Sequence, residues 1–243
     1  VTSGRGWWDD AFGAAYLAVY AHRDDASAQR EAAFVVGALG VARGAAVLDA
    51  GCGAGRHARA LHAAGARVVA MDRSVSLLRE AVARAGGPSY VAGDLRRLPF
   101  RSGAFAHVVS LFTSFGYFDE AGDRAQLREI RRVLRPGGGL LLDFLNAPRV
   151  VATLVPESER TAGAWGIREV RHVHDGRVEK RVDVTDSGRG VASWTESVRL
   201  WTRDEVRSLL RDAGFVVADE HGDLAGGPWS ESAERLVLRA RAA

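Results

Sequence analysis

The stretch Val47-Leu48-Asp49-Ala50-Gly51-Cys52-Gly53-Ala54-Gly55 and the residues up to Leu61 constrain this chain more than any other part of it. The apolar run Ala45 to Leu48 reads as a buried strand, and the alanine- and arginine-rich segment after the glycines reads as a helix. The turn between them carries nothing larger than Cys52, so a ligand can lie directly on its backbone. The glycines fall as G-x-G-x-G. The dinucleotide fingerprint would place its third glycine at Arg56, and the Gly-Lys-Ser/Thr of a phosphate loop is absent. The turn therefore suits a nucleoside-like ligand without a pyrophosphate, and the acidic Asp49 suits a cationic one. Cys52 reads either as a reactive thiol or as a small filler in the turn, and we take the second.

Two further motifs follow in order. Arg67 to Asp72 is a second apolar strand ending in an acid, about 20 residues past the first glycine, where a carboxylate can accept both ribose hydroxyls. Tyr90-Val91-Ala92 then leads into Gly93-Asp94-Leu95, and Asp94 stands where it can take the exocyclic amine of an adenine. D-A-G-C-G-A-G, then V-A-M-D, then G-D-L, resembles the class I S-adenosylmethionine-dependent methyltransferases; the alternative is a different Rossmann-like nucleotide binder. The resemblance implies a Rossmann-like α/β fold, a seven-stranded mostly parallel sheet with an antiparallel last strand. It implies S-adenosyl-L-methionine as cofactor, in-line methyl transfer and no metal. It implies cofactor contacts from Tyr20, Arg23, Asp49, Gly51, Cys52, Gly53, Asp72, Arg73, Asp94, Leu95 and Leu111. For Arg23, a solvated charge at a helix end is the competing reading.

Composition narrows the class. The single cysteine excludes an intrachain disulfide and makes the cytoplasm the expected compartment. No apolar run is long enough to span a bilayer, and no signal peptide is expected. The net charge is +3, but Lys180 is the only lysine and the arginines are spread throughout, so nucleic acid is an unexpected partner. The cysteine and histidine spacings form no zinc motif, and Asp119, Asp143 and Asn146 form no recognisable metal cluster.

The remaining segments bear on the acceptor. Phe12, Tyr16 and Tyr20 share one face of a leading helix, read either as core or as a lid whose tyrosines touch cofactor or substrate. Phe112-Thr113-Ser114-Phe115-Gly116-Tyr117-Phe118 follows a buried strand, where a parallel sheet puts its ligands. It resembles the S-S-x-G-H segment of sugar amine N-methyltransferases, with Tyr117 at the histidine position. That resemblance implies pocket roles for Phe115 and Tyr117; an apolar loop under a helix is the alternative. Asn146 lies just past the fifth strand, as a substrate contact or a loop cap. Val75, Leu78 and Val82 form the expected core stripe of a helix capped by Ser74.

From Pro148 the pattern changes to antiparallel strands at 166–174, 177–186 and 191–201, joined by Asp175-Gly176 and by Ser187 to Gly190. His172, His174, Trp194 and Glu196 are candidates to reach the pocket from them. The expected divisions are leading helices and lid (1–40), cofactor core (41–147), antiparallel insertion over the substrate pocket (148–201), and last helix and strands (202–243). The expected activity is methylation of a small-molecule acceptor at nitrogen or oxygen. Tyr117 is the catalytic candidate, Tyr16, Phe115, Asn146 and Trp194 are the substrate contacts, and a homodimer is possible. The alternatives are an RNA or protein methyltransferase and a non-catalytic S-adenosylmethionine-binding protein.

Overall fold

The computed structural model describes residues 6, 14–20, 24–84 and 87–243. Arg23 and the leading residues Trp7, Trp8 and Phe12 lie outside the described residues. Seven strands form one sheet in the order β10-β11-β5-β4-β1-β2-β3. They are β1 (Ala46–Ala50), β2 (Arg67–Asp72), β3 (Ser89–Ala92), β4 (Phe105–Ser110), β5 (Leu134–Leu145), β10 (Phe215–His221) and β11 (Arg235–Ala242). β11 runs antiparallel to both β5 and β10, and the pairs β1–β2, β2–β3, β1–β4 and β4–β5 are parallel. The expected sheet, with its antiparallel last strand, is the observed one.

All five residues of β1 are buried. A parallel strand covered on both faces reads as an unbroken apolar run, and this burial explains why Val47 and Leu48 needed no alternation. The covering helices are α2 (Asp25–Leu39), α3 (Arg56–Ala63), α4 (Val75–Ala83), α5 (Glu120–Val133) and α7 (Arg203–Asp212). Their starts follow local chemistry. Asp24, Ser74 and Asp119 each accept a backbone N–H from the first turn, and Thr202 with Glu205 makes a reciprocal capping box. In α4 the buried residues are Leu77, Leu78 and Ala81, whereas Val75 and Val82 are 50% and 61% exposed. The apolar residues of this helix permit two stripes, and packing selects the one that buries both leucines.

The Arg135 to Gly139 turn lies inside β5 as a wide irregularity. Phe105 pairs with Leu134 and His107 with Gly139, so the turn is looped out while the strand continues. Gly137 takes φ +72°, where a side chain would be strained.

A separate four-stranded antiparallel sheet, in the order β6-β7-β8-β9, follows helix α6 (Ala147–Thr153). Its strands are β6 (Glu157–Ala162), β7 (Trp165–His174), β8 (Arg177–Asp186) and β9 (Arg189–Arg199). The two hairpin turns are tight. Asp175 and Gly176 lie at φ 47° and 69°, and Ser187 and Gly188 at φ 50° and 80°. α6 and β6 were not expected. β6 alternates exposed and half-buried positions with almost no apolar residue among them, so no hydrophobic period marks it. On one face Ile167, Val182, Val184 and Trp194 pack together with Val19 of the leading helix α1 (Ala14–Val19). The insertion, not the large sheet, thus supplies the apolar seat for α1.

Candidate active site

A cleft of about 450 Å³ opens at the carboxyl ends of β1, β2 and β4. Gly51, Cys52 and Gly53 form its floor. The N–H groups of Gly51 and Cys52 both donate to Met71 O, at 2.8 and 3.0 Å, which ties the turn to β2. Gly51 has φ +88°, and a Cβ there would fall 2.4 Å from Ser114 Cβ, so the position tolerates no side chain. In return Ser114 Oγ–H donates to Gly51 O at 3.0 Å, and the glycine turn and the segment after β4 are in direct contact.

Three carboxylates define the electrostatics. Asp49 is buried, and among the described residues its Oδ2 has no hydrogen-bond partner. Burial first, and the neighbouring Asp72 carboxylate second, push its pKa up to about 7. Asp72 accepts the Gly53 N–H at 2.7 Å and the Ser74 N–H at 2.8 Å, which fixes its plane at the cleft wall. Desolvation holds its pKa above the usual carboxylate range. Asp94 differs: Arg96 grips both of its oxygens, at 2.6 and 3.0 Å, and Arg73 adds a contact at 3.1 Å. The Arg96 hydrogen bonds hold its pKa below the usual value. Burial, followed by Asp49 and Asp72, raises the Cys52 thiol well above its ordinary value, so it is protonated rather than reactive.

The wall opposite carries a feature that no sequence motif announced. Phe112 and Thr113 both sit at positive φ, 61° and 62°, a conformation non-glycine residues rarely adopt. Asp143, fully buried, holds them there. Its Oδ2 accepts the Phe112 N–H at 2.7 Å, while Arg235 donates to Asp143 Oδ1 and to Thr113 Oγ1, each at 2.7 Å. Arg56 and Arg235 lie 5.3 and 5.4 Å from the Phe112 ring centroid. This over-determined bend turns the chain so that Phe112, Ser114, Tyr117 and Phe118 all line the cleft. A second clamp holds the bend's far end. Arg177 of β8 donates to the carbonyls of Gly116, Tyr117 and Phe118, at 3.2, 3.0 and 3.1 Å.

Of the expected site residues, Tyr16, Tyr20, Gly51, Cys52, Gly53, Asp72, Arg73, Asp94, Leu95, Leu111 and Tyr117 line this one cleft, with Asp49 buried beside them. Three expected acceptor contacts stand elsewhere. Phe115 is fully buried, edge-on to Phe144 with ring centroids 5.6 Å apart. Asn146 Nδ2 donates to the carbonyls of Ser230, Glu231 and Ala233, and so staples the loop before β11. Trp194 belongs to the apolar seat of α1. For Trp194 and Asn146 the reason is geometric: alternation along a strand, or one step past its end, leaves the facing side open, and packing decided it; Phe115 follows the left-handed bend after β4, and no strand period applies there. No insertion residue lines the cleft, His172, His174 and Glu196 included. Glu196 instead accepts the Tyr20 hydroxyl at 2.9 Å.

Comparison with known proteins agrees with this geometry. A family profile described as a methyltransferase domain matches residues 47–138. Malonyl-[acyl-carrier protein] O-methyltransferase of Pseudescherichia vulneris is 37% identical over 187 residues, which cover 68% of this chain and 72% of that one. Demethylmenaquinone methyltransferase of a Parafrankia strain is 34% identical over 214 residues, covering 78% of this chain and 82% of that one. Among solved structures, the CcbJ methyltransferase from Streptomyces caelestis superposes with a TM-score of 0.78 at 22% identity, covering 91% of this chain and 93% of that one. CalS10, an amino pentose methyltransferase from Micromonospora echinaspora, has a TM-score of 0.71 at 22% identity, with coverage of 94% and 97%. The two structures show a shared fold. This chain belongs to the S-adenosylmethionine-dependent methyltransferases. The site fits that cofactor: a buried carboxylate with an unmatched oxygen calls for a cation, and the glycine floor admits a nucleoside against the backbone. Among the described residues, no helix is long and apolar enough to cross a membrane.

Proposed function

We propose that this enzyme methylates a small-molecule acceptor at nitrogen or oxygen. The observation that carries the reading is the size and walling of the cleft. At about 450 Å³ it lies within the ~300–1,000 Å³ of small-ligand sites, and three tyrosines and two phenylalanines, Tyr16, Tyr20, Tyr117, Phe112 and Phe118, border it opposite the glycine turn. S-adenosylmethionine, when bound, supplies an already activated methyl group, so the chain's task is alignment and exclusion of water. In this reading Asp72 takes the ribose hydroxyls, Asp49 faces the positive end of the cofactor, and Asp94 with Leu95 borders the base. Tyr16 and Tyr117 border the acceptor. A phenol with an ordinary pKa near ~10 is a poor base at neutral pH, so Tyr117 orients the nucleophile by hydrogen bonding. An amine acceptor needs only to lose a proton to water before it attacks. The leading helix and the insertion act as one lid, because α1 is seated on the insertion and the cleft-lining Tyr20 just after it is hydrogen-bonded to Glu196 of the insertion.

The test is a panel of amines, phenols and hydroxy acids with methyl-labelled cofactor. Transfer to a small acceptor, lowered several-fold in Tyr117→Phe at unchanged S-adenosylhomocysteine affinity, is the expected result. Tight S-adenosylhomocysteine binding with transfer only to RNA or protein would overturn the small-acceptor reading. Full activity of Tyr117→Phe would reduce that residue to packing.

A further inference from the structure

We propose that His172, His174 and Glu179 form a binding site for a divalent transition-metal ion, zinc or a cation of like coordination, on the face of the insertion opposite the α1 seat. His172 and His174 are two apart on β7, so both rings stand on one side of the sheet. The register places Glu179 of β8 directly opposite His172, on that same side. His172 Nε2 lies 3.4 Å and His174 Nε2 3.2 Å from a single oxygen, Glu179 Oε2. Two ligand atoms on one tetrahedral zinc ion, bonded at about 2.0–2.1 Å, are separated by about 3.4 Å. Two edges of a coordination polyhedron are thus already set. The ligand atoms of all three residues lie within 4.8 Å of one another.

His174 Nδ1 lies 3.3 Å from Asp175 Oδ2. When a cation replaces the proton on Nε2, a proton retained on Nδ1 by Asp175 orients the ring, as carboxylates do for metal-bound histidines. The carboxylate is held too: Glu179 Oε1 accepts the Ser197 hydroxyl at 3.0 Å, so Oε2 is the oxygen presented. The histidines are about half exposed and Glu179 a quarter, which leaves solvent room for water as a fourth ligand. The donor set of two imidazoles and one carboxylate suits zinc, nickel, copper or cobalt over calcium or magnesium.

An ion here also has a route to the cleft loop. Arg177 Nε donates to Ser197 Oγ at 2.8 Å, and the same guanidinium holds the carbonyls of Gly116, Tyr117 and Phe118. None of the three ligands lines the cleft, so the site can be probed without disturbing cofactor binding.

The untagged, metal-stripped protein is titrated with zinc chloride by calorimetry, and the histidine ring signals are followed by NMR as cobalt or nickel is added. One equivalent of zinc should bind, with affinity reduced tenfold or more in His172→Ala, His174→Ala and Glu179→Gln. Of the seven histidines, two, His172 and His174, should broaden first. Zinc binding at wild-type affinity in all three variants, no binding at all, or earlier broadening of other histidines would overturn the site and leave an ion-pair cluster. The NMR titration uses the wild-type chain, so it decides the matter even where a variant folds poorly.

Discussion

The two sheets solve different problems with the same backbone geometry. In the seven-stranded sheet the central strand β1 is buried along its length, and acidic groups stand near strand ends: Asp72 lines the cleft, and Asp49 and Asp143 are buried beneath its walls. In the four-stranded sheet the charges stand in mid-strand. Lys180 lies between Glu196 at 3.0 Å and Glu169 at 3.7 Å, flanked on the same face by the Ile167–Val184–Trp194 seat of α1. The opposite face carries Arg177, Glu179 and the two histidines. The first sheet is held by apolar area, and the cleft opens among the loops at its carboxyl ends. The second is held by cross-strand pairs, and it meets the cleft lining through the Tyr20–Glu196 hydrogen bond and through Arg177.

This contrast can be broken or sharpened by substitution. The largest effect is expected in the first sheet: Phe144→Ala removes a fully buried ring and should cost about 3–5 kcal/mol in urea denaturation. Next is the buried acid. The pKa of Asp49 is raised to about 7, against about 3.9 in an unfolded chain, so the folded state holds the proton more tightly. Its stabilising contribution is complete below about pH 4 and lost as pH rises through about 7. The stability of Asp49→Asn relative to wild type, without cofactor, should therefore rise by roughly 2–3 kcal/mol between about pH 5 and pH 8; a flat difference would show that Asp49 does not titrate there. Asp72→Ala should weaken S-adenosylhomocysteine binding by about 1–3 kcal/mol in calorimetry.

In the second sheet the effects should move from binding to turnover, then vanish. Arg177→Gln frees the carbonyls of the Tyr117 loop and should lower turnover about tenfold with cofactor affinity within twofold, a loss of roughly 1.4 kcal/mol from the transition state alone. An equal loss of cofactor affinity would mean that the clamp shapes the glycine turn as well. Arg168→Ala breaks the pair with Glu157 at 2.6 Å, but the Arg168 side chain is 50% exposed and screened by solvent, and the urea denaturation midpoint should stay that of the wild type.

The sequence by itself determined which strand-end residues, Gly51, Asp72 and Asp94 among them, meet in one cleft. Gly51, Asp72 and Asp94 each follow a strand legible as an apolar run, and a strand-to-loop junction needs no distant partner to be recognised. The antiparallel β11 was legible because Gly226-Gly227-Pro228 leaves no room for a crossover helix. Tertiary structure alone decided the wall opposite the glycine turn. The left-handed Phe112 and Thr113 depend on Asp143 and Arg235, which lie 31 and 122 residues away from their partners in the chain. Asn146 could have faced either way past its strand and was taken by the 230–233 loop; Trp194 could have faced the cleft and was taken by α1. A strand's period tells which residues share a face, but only the packing of other elements tells which face is the site.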